Sequence, residues 1–459
     1  MTGTTGSDRG KWGSKIGFIL AASGSAVGLG NIWRFPYTTG QNGGALFVFF
    51  YILSVIFIAL PVLVAEAALG RHTGKNPVGA FKAIKPKGPW KLVGYLGVFT
   101  GVMILSYYTV IAGWTLGYFF KAVTGKFQQM TKANSGEVFT GFTGDIFLQI
   151  VLLAAFLFLT YYVVSRGVSS GIEKYSKILM PGLLVILTLL LVRALTLEGA
   201  GKGLEFYLKP DFSKLNFQVV IGAMGQAFFS MSLGMGAMIT YGSYLGKDEN
   251  IPSATVWVAV FDTFIAVMAG FIIFPAIFSQ GMDPAGGPGL VFNILPVIFA
   301  NMPGGIIFGP IFFLLLIIAA LTSTISLLEV ASAYCIDEKK WSRKKSATLM
   351  TILTFLFGIP SVLSFSDIPF FKKLPLVNMG FLDFWDLVWG NLSLSIGAFF
   401  IAIFVGYVWK TSNALKEVTQ GQHKQAGKFS TTIYPILWTA AVKYLCPLLI
   451  VLILLGYFL

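Results

Sequence analysis

Stretches of about twenty consecutive apolar residues recur along the chain, each long enough to cross a hydrocarbon core about 30 Å thick. Eleven such runs can be drawn, over 14–38, 44–70, 89–121, 144–163, 174–195, 217–244, 251–281, 307–336, 345–365, 380–408 and 432–458. A chain with this pattern has lipid as its solvent, and the cost of unpaired peptide groups in hydrocarbon makes each run a helix. Composition agrees, because 56% hydrophobic and 11% charged residues leave too little polar surface to coat a water-soluble body of 459 residues. The expected fold class is all-α integral membrane, one domain over 1–459 with eleven transmembrane helices.

The net charge of +14 marks topology rather than nucleic-acid binding. The loop holding Arg71, Lys75, Lys82, Lys85, Lys87 and Lys91 contains no acid, and Lys339, Lys340, Arg343, Lys344 and Lys345 follow the eighth run. With alternating spans both groups share the side of the N-terminus, which the excess of Lys and Arg makes cytoplasmic. Eleven crossings then put the C-terminus outside, in a multi-pass protein of the plasma (inner) membrane. The N-terminal stretch has no small-residue cleavage site and is expected to stay attached.

Cys335 and Cys446 fall in or beside apolar runs, and no metal-ligand spacing is present. His72 and His423 stand in loops without a triad context. No Ser/His pairing, His/acid cluster or phosphate-binding loop lies within a run, so an enzyme is not expected.

Two runs are interrupted in corresponding places. Gly24-Ser25-Ala26-Val27-Gly28-Leu29-Gly30-Asn31 puts three glycines and an asparagine in the first, and Ser230-Met231-Ser232-Leu233-Gly234-Met235-Gly236 repeats the device in the sixth. A membrane helix stops at mid-depth only where its freed backbone has something to bind, and paired breaks in two halves point to a transporter with a midplane site. Close packing of small residues would explain Gly24 and Gly28, but not Asn31 and Ser232.

The stretches GSAVGLGNIWRFPY, NGGALFVFFY, PVLVAEAALGR, SYYTVIAGW, GQAFFSMSLGMGAMITYGSY and LTSTISLLE closely resemble the neurotransmitter:sodium symporter family, in particular its bacterial amino-acid members. The resemblance runs from about residue 9 to the end. It implies the LeuT fold: five helices over 14–195, five inverted over 217–408, and an eleventh over 432–458. It also implies sodium symport of an amino acid by alternating access, with a non-transporting receptor or a channel on the same fold as the alternative.

Residue by residue, the resemblance implies a first sodium site at Ala26, Asn31, Ser230 and Asp262, closed by the substrate's carboxylate, and a second at Gly24, Val27, Ala319, Thr322 and Ser323. Oxygen ligands suit a hard cation, and a ligand shared with the substrate makes the two bindings mutually dependent. Relatives that carry amines lacking a carboxylate have an aspartate where this chain has Gly28, so the expected solute is an α-amino acid. Its carboxylate is expected at the N–H groups of Leu29 and Gly30 and the Tyr108 hydroxyl. Its ammonium is expected at carbonyls of Ala26, Phe229 and Ser230 and the Ser232 hydroxyl. Ile104, Tyr108, Phe229, Met235, Ser323 and Leu327 match the side-chain pocket, and the flexible Met235 predicts breadth that includes aromatic side chains.

Arg34 with Asp383 matches an outer gate, and Arg9 with Asp337 an inner one beside Trp12, Ser243 and Tyr244. Glu66 is expected to support the break in the sixth helix. Glu329 has no match and reads as a protonated or water-exposed carboxylate. Chloride-dependent relatives have asparagine at Asp262 and serine at Ala266, with the anion near positions matching Tyr51, Gln226 and Ser230. The carboxylate here predicts transport without chloride.

Overall fold

The computed structural model describes residues 10–285, 289–421 and 433–457, and among these the chain is helical with no strand. Among the described residues nine helices are long and apolar enough to cross a membrane: Ala45–Thr73, Lys91–Val123, Ile146–Val164, Val168–Leu195, Ile251–Ser279, Gly305–Lys339, Arg343–Leu363, Phe381–Val408 and Tyr434–Gly456. The pair Lys15–Ala26 and Gly30–Gln41, bent by 47° at its break, makes a tenth. The expected sixth run is divided into Phe217–Ser230 and Ala237–Gly242, neither of which spans a bilayer by itself. Spans are numbered below by the eleven expected runs.

Polar residues set where the helices begin. Ser14, Asn216, Asn250 and Ser342 accept hydrogen bonds from N–H groups three residues on, and so open spans 1, 6, 7 and 9. Span 2 ends at Gly74 with φ +59°, a left-handed stop. Four of the segments wound as π-helix, Gly30–Arg34, Val55–Ala59, Leu290–Ile294 and Ala441–Leu445, end two residues before a proline (Pro36, Pro61, Pro296, Pro447). A proline ring clashes with the carbonyl four residues back, and a widened turn relieves that clash without ending the helix.

Spans 3 and 8 form the centre. The most apolar windows of Lys91–Val123 and Gly305–Lys339 are 89% and 72% buried, against 28% for Val168–Leu195 and Tyr434–Gly456 on the lipid side. Span 1 packs against spans 5, 7 and 8, and the two halves of span 6 against spans 2, 8 and 10.

The residues ahead of span 1 are tied down. Trp12 Nε1 donates to the Tyr241 carbonyl at 3.0 Å. Gly13 N–H and the Ser14 hydroxyl donate to the Glu173 carboxylate of span 5 at 2.6 and 2.9 Å. A Cβ on Gly17 would stand 2.1 Å from Glu173 Oε1, so that glycine leaves the slot the carboxylate fills.

Candidate functional site

The first break is built by Gly28 and its neighbours. Val27 leaves helical geometry at ψ 110°, Gly28 N–H donates to Asn31 Oδ1 at 3.0 Å, and Leu29 N–H donates to the Tyr108 hydroxyl at 2.8 Å. The second break is wound by three residues with positive φ, Ser232 at 55°, Gly234 at 81° and Gly236 at 76°. A left-handed serine is strained, and the Ser232 hydroxyl is held by the Ser25 carbonyl at 3.0 Å. Gly234 is gripped from two sides. Its N–H donates to Glu66 Oε1 at 2.8 Å, and a Cβ there would stand 2.1 Å from the Leu394 carbonyl. Glu66, fully buried in span 2, thus meets a backbone donor freed by the break, as its sequence position implies.

Between the breaks lies a cavity lined by Ala26, Gly30, Ile104, Tyr108, Phe229, Ser232, Met235, Ser323 and Leu327, all expected at the substrate, together with Ser25, Gly28 and Leu394. Leu29 and Ser230 lie beside it, not on its wall. Above, a chamber of about 250 Å³ is lined by Trp33, Arg34, Tyr37, Tyr107, Asp383 and Asp386 and shares Gly30, Tyr108 and Phe229 with the cavity below. Those shared residues are the floor of one space and the roof of the other.

Two clusters of oxygen atoms flank the cavity. In the first, the Asp262 carboxylate accepts from Asn31 Nδ2 at 2.7 Å, from the Ser230 hydroxyl 2.8 Å from both its oxygens, and from the Tyr51 hydroxyl at 3.1 Å. All four residues are completely buried. Asn31 Oδ1 meanwhile accepts from Gly28 N–H, and turning the amide would bring that oxygen to the same point, adding to a set of the kind hard cations favour. In the second, Thr322 Oγ1 donates to the carbonyls of Ala319 and Val27 at 2.9 and 3.2 Å, and Ser323 Oγ lies 3.3 Å from the Val27 carbonyl. The Thr322 hydroxyl therefore both bonds back to its own helix and reaches span 1. Gly24 packs against it, with a Cβ position 3.2 Å from Thr322 Cβ.

Sodium:neurotransmitter symporter family is the description of the family model that matches residues 9–137 and 141–458. The chain belongs to that family. The sodium-dependent transporter YhdH of Bacillus subtilis is 38% identical over 451 residues, 97% of each chain. A sodium-dependent transporter of Haemophilus influenzae is 36% identical over 461 residues, 98% of each. A crystal structure of MhsT in complex with L-phenylalanine superposes with a TM-score of 0.89 at 44% identity, covering 98% of this chain and 99% of that one. The protein is a multi-pass, sodium-dependent transporter with the LeuT fold.

The ion pair expected for an outer gate forms with a different partner. The carboxylate beside Arg34 is Asp386, at 3.7 Å, and not Asp383. Arg34 also donates to Asn391 Oδ1 at 2.6 Å, and Tyr107 donates to Asp386 Oδ1 at 2.8 Å, so Asp386 is held facing the arginine. Asp383 is one turn earlier, on the chamber wall. The guanidinium stands 4.2 Å over the Phe229 ring, capping the roof of the cavity with a cation–π contact.

Of the pair expected at the inner gate, Arg9 lies outside the described residues, and Asp337 accepts from Asn76 N–H and Nδ2 at 2.8 and 2.9 Å. The solvated reading of Glu329 is overturned. The side chain is fully buried, paired with Arg343 at 2.7 and 3.1 Å, and accepts from the Tyr244 hydroxyl at 2.6 Å. The Arg343 guanidinium meets the two carboxylate oxygens with two parallel donors. The positive run after span 8 held the signal, but a residue fourteen positions away and past a turn cannot be paired by spacing. Tyr107, Asn391 and Leu394 carried no sequence signal at all.

Proposed function

We propose that the protein carries hydrophobic α-amino acids, aromatic ones included, into the cell together with sodium ions bound at two sites, and does so without chloride. The observation that carries this reading is the bare Gly28 under Tyr108 and Ser323. The chain offers no carboxylate of its own at that point, so a solute that completes the first ion's shell brings one. Its carboxylate meets Leu29, Gly30, Tyr108 and the ion, and its ammonium meets the Ala26, Phe229 and Ser230 carbonyls and the Ser232 hydroxyl. Ile104, Met235 and Leu327 receive the apolar side chain, and the phenylalanine bound by MhsT supports that class.

The first sodium site consists of Ala26, Asn31, Ser230 and Asp262, and the second of Gly24, Val27, Ala319, Thr322 and Ser323. Asp262 supplies the negative charge that an anion between Tyr51, Gln226 and Ser230 would otherwise contribute. Arg34 with Asp386 closes the outside and Arg9 with Asp337 the inside. Taking the two pieces of span 6 as one crossing gives eleven spans, two inverted five-helix halves, a cytoplasmic N-terminus and an external C-terminus.

The test is uptake into proteoliposomes. A sodium gradient is expected to drive labelled leucine, phenylalanine and tryptophan inward, equally well in chloride and in gluconate. Binding without sodium-driven flux would establish the receptor alternative instead. Loss of uptake in gluconate would refute chloride independence.

A further inference from the structure

Leu394 of span 10 reaches the substrate cavity, although spans 1, 3, 6 and 8 supply the rest of its wall. The approach of span 10 is set by backbone packing. A Cβ on Gly234 would meet the Leu394 carbonyl at 2.1 Å, and one on Gly397 would meet the Gly234 carbonyl at 2.4 Å. Two glycines, one on each element, therefore allow main chain to touch main chain, and the first span-10 side chain at that level is Leu394. It is 1% exposed, and it follows directly on the π-helical segment Asp386–Ser393. That segment is pinned at its far end by a short Thr100–Ser393 hydroxyl contact at 2.5 Å and at its near end by Tyr107 on Asp386.

The adjoining wall is yielding. Met235, in the irregular stretch of span 6, has an unbranched side chain that repacks at little cost. A branched side chain on a helix held at both ends does not retreat in the same way. How much room a large solute can find when Met235 moves thus depends on what stands behind it.

We propose that Leu394 is a specificity-determining residue: its volume sets the largest amino-acid side chain the cavity accepts. The proposal rests on the amino-acid reading above. A change of one methylene in such a pocket shifts discrimination by about tenfold or more.

The experiment compares initial sodium-driven uptake of labelled leucine and tryptophan by wild type, Leu394→Met, Leu394→Ala and Leu394→Phe in proteoliposomes. The quantity read is the ratio of kcat/KM for tryptophan to that for leucine, which does not depend on how much folded protein each preparation contains. The expected result is a fall of about tenfold or more in Leu394→Phe, a rise of several-fold in Leu394→Ala, and little change in Leu394→Met. Ratios within twofold of wild type in both Leu394→Ala and Leu394→Phe would overturn the proposal while leaving the amino-acid reading intact. If Leu394→Phe does not accumulate in the membrane, the ratio in Leu394→Ala decides alone. A wild type that takes up no amino acid overturns the functional reading, and this inference with it.

Discussion

Replacing Gly28 by alanine adds one methyl group at the narrowest point of the site. The backbone tolerates the change, since Gly28 is not among the glycines of positive φ. The space does not, because the new Cβ would stand 2.2 Å from Ser323 Oγ and 2.6 Å from the Tyr108 hydroxyl. Both hydroxyls must move. Ser323 then leaves the Val27 carbonyl, and Tyr108 leaves the Leu29 N–H that it accepts at 2.8 Å. An orphaned buried N–H costs about 1–3 kcal/mol, and overpacking a similar amount. The two share neighbours and do not add fully, so a net loss of about 2–3 kcal/mol is expected, or about 30- to 140-fold in affinity at about 1.4 kcal/mol per decade. Binding of a labelled amino acid to purified protein, titrated with sodium, measures both halves of the effect. Gly28→Ala should raise the sodium concentration for half-saturation together with the amino-acid Kd. Ser323→Ala removes the closest clash but also an ion ligand, so Gly28→Ala should cost much less in its presence. Unchanged sodium dependence in Gly28→Ala, or full additivity of the two losses, would refute the reasoning.

Asp262→Asn removes the charge on which three buried side chains converge; uptake should fall at least tenfold in gluconate and recover in part in chloride, and equal uptake in both media would contradict the assigned role. Asp386→Asn should slow uptake several-fold more than Asp383→Asn, because Asp386 is the carboxylate paired with Arg34; the reverse order would restore the sequence expectation. Beyond the end of span 2, burial alone would raise the carboxyl pKa of Glu417, but hydrogen bonds from Arg71, Lys247 and His72 outweigh it and leave it lowered. A lowered carboxyl pKa stabilises the folded state above the ordinary glutamate range, and that contribution is lost as pH falls through the depressed value. Thermal melts should therefore show wild type losing stability on acidification below the ordinary glutamate range. Glu417→Gln should be about 3 kcal/mol weaker at neutral pH, because fully buried Arg71 loses its partner, and should lack that acid step. A variant as stable as wild type at neutral pH would remove the basis for this assignment.

Long apolar runs made the spans legible to within a few residues, because a helix in lipid has to satisfy its own backbone whatever surrounds it. Short helices outside the runs, such as Pro77–Ile84, Ala200–Leu208 and Thr411–Thr419, were not foreseen. They are held by contacts with other elements, as Tyr207 is by Phe271 and Phe274, and local pattern does not encode a partner. Within the site, residues on the motifs of spans 1, 6 and 8 converged as expected, since each motif is continuous in sequence. The expected pairing of Arg34 with Asp383 failed for the opposite reason. Asp383 and Asp386 stand three residues apart on one helix, and the π-helical winding that begins at Asp386 is not readable from composition. Leu394 escaped notice because an apolar residue in an apolar span is silent until the facing glycine is known.

The anchorage of the stretch ahead of span 1 has a practical consequence. Trp12 is fixed to the inner half of span 6, and Gly13 and Ser14 to the start of span 5. A fluorophore attached at Lys11 would be carried on that anchored stretch and not on a free tail. Any motion that separates the first span from the fifth would alter its surroundings, so its emission would give an optical record of that motion.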